Sequence, residues 1–123
     1  YRYTIDEWCW EVPAGSVKDE QSIEEAAHEE LREEVGGEAN ALEYIGRFYL
    51  ANGICNEIGH IFIATGVKLG DPHHESAEVM TISLKSISEA LTMAKSGEIS
   101  DGPTALALLL CADRLAKLMP DGT

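Results

Sequence analysis

The stretch HEELREEVGG, residues 28–37, sets four glutamates and one arginine into ten positions and closes on two glycines. On a helix, at about 100° per residue, Glu30 and Glu34 fall one turn apart on one side, Glu33 lies nearby and Arg32 faces the other way. Two carboxylates roughly 6 Å apart repel by about 3 kcal/mol at an effective dielectric near 20, and desolvation adds to that cost. The segment's own arginine points away. A hard divalent cation is therefore the economical offset, because paired carboxylates supply oxygen ligands that Mg²⁺ or Mn²⁺ accepts while keeping several waters.

The element that must position these acids is legible. Ser22 with Glu25 three residues later makes a capping box, so the helix is expected from 22 to about 35, where Gly36 and Gly37 stop it. Measured from Ile23, the apolar residues Ala26, Ala27, Leu31 and Val35 lie at about −60°, 40°, 80° and 120°. Glu30 at about −20° and Glu34 at about 20° fall within that arc, so both are expected to point toward the protein body. Glu24, Glu25 and His28 read as an ordinary solvated face.

Around this helix, WCWEV (8–12) reads as a strand ended by PAG (13–15), and SVKDEQ as loop. Strands are expected at 42–50 and 58–67, joined by a turn at ANG (51–53), and a further strand at 79–84. Ser86 and Glu89 repeat the capping pattern for a helix to about Ser96, and Pro103 opens a last helix through about 118 whose apolar content predicts deep packing. Strands and helices mix without a regular alternation. That predicts an α/β fold, a mixed sheet sandwiched between helices, as a single domain over 1–123.

Composition narrows the function classes. With 22 acids against nine Lys and Arg, the net charge of −13 argues against a sequence-independent grip on nucleic acid. No apolar run reaches the roughly 18 residues of a membrane span, and YRYTIDEW lacks the form of a signal peptide, so a cytoplasmic protein is the expectation. Cys9, Cys55 and Cys111 are odd in number and widely spaced, which predicts reduced thiols.

From Gly15 to Gly37 the spacing resembles the Nudix box, G-x5-E-x7-R-E-U-x-E-E-x-G-U with U aliphatic. Gly15, Glu30, Leu31, Glu33, Glu34 and Gly36 match. Gln21 replaces the first Glu, Glu29 the Arg, and Gly37 the aliphatic end. WEVPAG, ANGICNEIGHIFIATG and SGEISDGPTALALLL also resemble the family's ADP-ribose pyrophosphatase branch, except that Asn52 stands where that branch usually carries Pro. The family's strands ahead of YRY are missing from this sequence.

The resemblance implies metal-dependent hydrolysis of the pyrophosphate bond of a nucleoside diphosphate derivative such as ADP-ribose, giving AMP and a sugar phosphate. The alternative is a Nudix-fold module that holds a nucleotide without cutting it. The resemblance further implies Glu30 and Glu34 as principal metal ligands, Glu33 as a supporting ligand of the catalytic set, the Ala14 carbonyl as a backbone ligand, and a general base on the 70–78 loop. Glu75 is preferred as base and Glu78 as a further ligand, with Glu57 a weaker candidate. Arg2, Gly15, Arg47 and Gly53 are the candidate substrate contacts, Arg47 being expected instead to pair with an acid. Trp8, Trp10 and Tyr44 could stack on adenine but read more simply as core. His73 and His74 are adjacent loop residues and read as surface histidines.

An acid at position 29 repels Glu33 one turn on, so weaker metal binding is expected, and restoring Arg there should raise activity if the site is merely weakened. A homodimer is expected, both from the branch and from an incomplete sheet.

Overall fold

The computed structural model describes residues 1–71 and 80–119. The chain is α/β and forms two compact units, one of Pro13–Val79 and one of Tyr1–Val12 with Met80–Thr123.

The first unit carries α1 (Ile23–Val35), β1 (Ala41–Tyr49) and β2 (Ile58–Thr65). Ser22 caps α1, its side chain accepting from Glu25 N–H at 3.1 Å. Gly36 ends the helix at φ 64°, a left-handed conformation that glycine adopts without the Cβ penalty. A Cβ there would also collide with the Gly70 carbonyl. At Gly37, the box's aliphatic position, a Cβ would stand 2.9 Å from Leu31 Cγ and 3.2 Å from Val67 Cγ1. A side chain there would require Leu31 or Val67 to shift. Beyond it, Glu38 and Lys68 exchange two backbone hydrogen bonds of 2.9 Å, which fix the helix exit beside the end of β2.

β1 and β2 pair antiparallel from Ala41↔Thr65 to Tyr49↔Ile58, with a bulge between Tyr44 and Gly46. Strand alternation buries Ile61 and Ile63 on one face of β2, and Ala26 is the buried residue of α1. The turn after β1 lies slightly later than ANG, with Ile54 and Cys55 N–H both donating to the Ala51 carbonyl at 2.9 Å.

The second unit is helical: α2 (Ile87–Ser96), α3 (Gly102–Leu110) and α4 (Ala112–Leu118). Ser86 caps α2 and Gly97, at φ 85°, ends it. Met93, Ala94 and Ile99 form its core, with Ala105 and Leu108 packed against them. Asp101 caps α3, accepting from Thr104 N–H at 3.1 Å and from its hydroxyl at 2.6 Å.

Four expectations are corrected here. Residues 8–12 are not a strand: they form no ladder, and Val12 N–H donates instead to the Thr104 hydroxyl, far along the chain, at 3.3 Å. Nor are 80–84, although their alternation reads as one; among the described residues, no strand lies beside them. The last helix is two, divided at Cys111 (ψ −5°), though Leu115 N–H still reaches the Cys111 carbonyl at 2.8 Å. Its deep packing is also partial, because Leu106, Leu109 and Leu110 stand 37–50% exposed while Leu108 turns to the core.

Candidate active site

Helix α1 places its acids in two classes. Glu24, Glu25, His28 and Arg32 are exposed, whereas Glu29, Glu30, Glu33 and Glu34 are half-buried. Glu34 accepts from Ala14 N–H at 2.9 Å. The Glu30 carboxylate lies so close over Gly15 that a Cβ on that residue would overlap it. One turn of helix thus brings two carboxylates onto the two residues Ala14 and Gly15. A side chain at 15 would displace the Glu30 carboxylate from this position.

Within α1 no cation faces this cluster, and the preceding loop supplies one to Glu29. Lys18 Nζ donates to Glu29 at 2.6 Å, and Gln21 Nε2 donates to the other Glu29 oxygen. Lys18 N–H in turn donates to Gln21 Oε1 at 3.0 Å. These bonds hold the Glu29 carboxyl below its ordinary range, the Lys18 hydrogen bond being the largest cause and the Gln21 bond the next. The Lys18 ammonium is raised, first by its hydrogen bond to Glu29 and then by the Glu29 charge, with smaller contributions from Glu33 and Glu30. Glu29 is therefore not left to repel Glu33 alone. Lys18 lies in a segment that reads as loop, and only its distance from Glu29 in space shows the pairing.

Glu30 and Glu34 supply carboxylate oxygens of the kind Mg²⁺ accepts in partial protein coordination, one Glu34 oxygen already taking the Ala14 N–H. Among the described residues no three His, Cys, Asp or Glu side chains converge as a metal set. Glu75, Glu78, His73 and His74 lie outside the described residues.

The remaining candidates are distributed. Arg2 pairs with Glu11, through both Nε and Nη2, and its guanidinium is raised above its ordinary value by that hydrogen bond. To meet a phosphate it must leave Glu11. Arg47 is exposed opposite His60 and forms no ion pair with another described residue. Gly53 and Glu57 are exposed, and nothing lies within 4 Å of where a Gly53 Cβ would be.

The aromatics are not core. Trp8 is 62% and Trp10 40% exposed; Tyr1 meets Trp8 edge-on, and Lys85 Nζ sits 4.8 Å from the Trp10 ring centroid. Tyr44 is 45% exposed; its hydroxyl lies 2.9 Å from His60 Nδ1, and its ring packs edge-on against Phe62. Of the cysteines, Cys111 is buried and Cys55 is exposed.

A family model described as the NUDIX domain matches residues 2–106. The chain is 32% identical over 113 residues to an ADP-ribose pyrophosphatase of Bacillus subtilis (strain 168), covering 88% of this chain and 60% of that protein. It is 38% identical over 104 residues to an ADP-ribose pyrophosphatase of Mycobacterium tuberculosis (strain ATCC 25618 / H37Rv), covering 80% and 49%. A CMP-5'-(N-acetyl-N-hydroxy-3-aminopropyl)phosphonate hydrolase of Streptomyces rubellomurinus (strain ATCC 31215) is 28% identical over 109 residues, covering 89% and 53%. The chain spans about half to three-fifths of the length of these curated relatives. With the loop-to-helix cluster of Gly15, Glu30 and Glu34 in place and the match running over most of its length, this chain belongs to the NUDIX family.

Proposed function

We propose that the protein hydrolyses the pyrophosphate bond of a nucleoside diphosphate derivative, most simply ADP-ribose or a related ADP-sugar, with Mg²⁺ or Mn²⁺ as cofactor. The observation that carries this reading is the convergence of Glu30 and Glu34 on Ala14 and Gly15. The names of the Bacillus and Mycobacterium relatives support the substrate class. Glu30 and Glu34 would hold the cation, with the Ala14 carbonyl as a backbone ligand and Glu78 as a further one. A divalent ion bound there neutralises phosphate oxygens and stabilises charge that develops during cleavage.

The chain's own groups then orient the diphosphate and manage a proton. Glu33, one residue from Glu34 and half-buried, supports the cluster. Glu75 is the candidate to accept the proton of the attacking water, so that the water's oxygen forms the new P–O bond as the bridging P–O bond breaks. Arg2, Arg47 and Gly53 are the candidate substrate contacts. The acidic balance favours this small-molecule reading over nucleic acid, and no helix among the described residues is long and apolar enough to cross a membrane. A cytoplasmic homodimer is the form in which we expect it to act.

The test is a panel of ADP-ribose, other nucleotide sugars and dinucleoside polyphosphates with Mg²⁺, assayed with wild type and Glu34→Gln. Removing one ligand charge should lower kcat by about 100-fold or more while the fold persists. Hydrolysis indifferent to that substitution would overturn the assignment, and raised melting temperature with ADP-ribose and Mg²⁺ but no turnover would identify a binding module instead.

A further inference from the structure

Two of the three departures from the box pattern, Gln21 and Glu29, are bonded to each other, and both are bonded to Lys18. These contacts join the 18–21 turn to the face of α1 that begins at Glu29. The turn itself is closed by Gln21 N–H to the Lys18 carbonyl at 3.1 Å, and it holds Glu20 at φ 65°, a left-handed conformation that a non-glycine residue keeps only where its surroundings fix it. Three residues before the turn lies Gly15 under the Glu30 carboxylate, and one before that Ala14 under Glu34. The loop thus meets the helix at three places: Glu34, Glu30 and Glu29.

We propose that Lys18, Gln21 and Glu29 form a charge-inverted clamp that replaces the missing box arginine, with Lys18 as a positioning residue that sets the loop so that Glu30 and Glu34 meet Ala14 and Gly15. The clamp rests on the reading of Glu30 and Glu34 as cation ligands only for its consequence; its geometry stands apart from that reading. Stability is not its main contribution. The Lys18 side chain is 66% exposed, and exposed ion pairs add little to folding. Holding a neighbour's ligands in register is where such outer contacts matter, and their loss commonly costs 10–100-fold in metal affinity or activity, roughly.

The inverted polarity gives a sharp test. Glu29→Arg alone sets a second cation against Lys18, so it should weaken the site rather than restore it. Lys18→Glu should do the same with two acids. The double variant Lys18→Glu/Glu29→Arg reinstates an attractive pair of reversed sign. Two readouts are needed: amide hydrogen exchange at Ala14 and Lys18 by NMR, and Mn²⁺ affinity by electron paramagnetic resonance. Each single variant should speed exchange and weaken Mn²⁺ binding about tenfold, the double variant should return both to within about threefold of wild type, and Lys18→Arg should match wild type. Should a charge reversal unfold the chain, Lys18→Met removes the charge while keeping the stem and should show the same losses. Single variants that behave as wild type, or a folded double variant as impaired as the worse single one, would overturn the clamp. Exchange that follows this cycle in a protein that binds no Mn²⁺ would keep the clamp and remove the cation reading instead.

Discussion

Gly15 is the residue at which geometry and activity can be separated. A methyl group there would strike the end of the Glu30 side chain, which can swing away at small energetic cost but only by leaving the cluster. Gly15→Ala should therefore leave the melting temperature within a few degrees of wild type and lower kcat about tenfold or more, read by calorimetry beside the hydrolysis assay. At Lys18 the sign of the pH effect follows from its partner. Its folded-state value is raised, so the tie is complete below the ordinary lysine range and is lost as pH rises through the higher folded value. The small melting-temperature difference between wild type and Lys18→Met should be constant from about pH 7 to about pH 10 and shrink above it. A difference that vanished already near pH 8 would contradict the pairing.

The ends of α1 decide whether the acids can be presented at all. Ser22 satisfies one orphan N–H at the start, and its replacement by Ala should cost about 1 kcal/mol, some 4 °C in melting temperature. Gly36 carries a heavier burden, since a side chain there must adopt φ 64° and also displace the Gly70 backbone. Gly36→Ala should destabilise by about 2 kcal/mol or more, clearly beyond Ser22→Ala in the same urea titration. Both changes act on the element that carries Glu30 and Glu34 without touching either carboxylate. The strand pair is different in kind: a two-stranded ribbon is marginal by itself, so β1 and β2 depend on the apolar face bearing Ile61 and Ile63.

Across the whole molecule, apolar surface remains uncovered. Leu106, Leu109 and Leu110 lie at i, i+3 and i+4 on α3, the spacing of one helical stripe, and Tyr49, Leu50 and Ile54 are exposed at the end of β1 and the turn after it. This exposure supports self-association. Sedimentation should give twice the 13.4 kDa chain mass, and Leu106→Lys with Leu110→Lys should shift it toward the monomer if the α3 stripe forms the contact. A single 13.4 kDa species for wild type would count against the dimer.

By itself the sequence determined what depends on neighbours along the chain. The cap at Ser22, the stop at Gly36, the α1 span, the β1–β2 hairpin and the placing of Glu30 and Glu34 on one side of α1 all follow from local hydrogen bonding and helical periodicity, and the box spacing identified the family. Tertiary structure decided which residues meet across long separations. Lys18 and Gln21 lie eleven and eight residues before Glu29, in a turn with no periodicity to aim them, so nothing local could show that the acid at 29 has its cation. The same reason explains the lost strands at 8–12 and 80–84: alternation marks a segment that is able to pair, while a partner strand must be supplied by the fold.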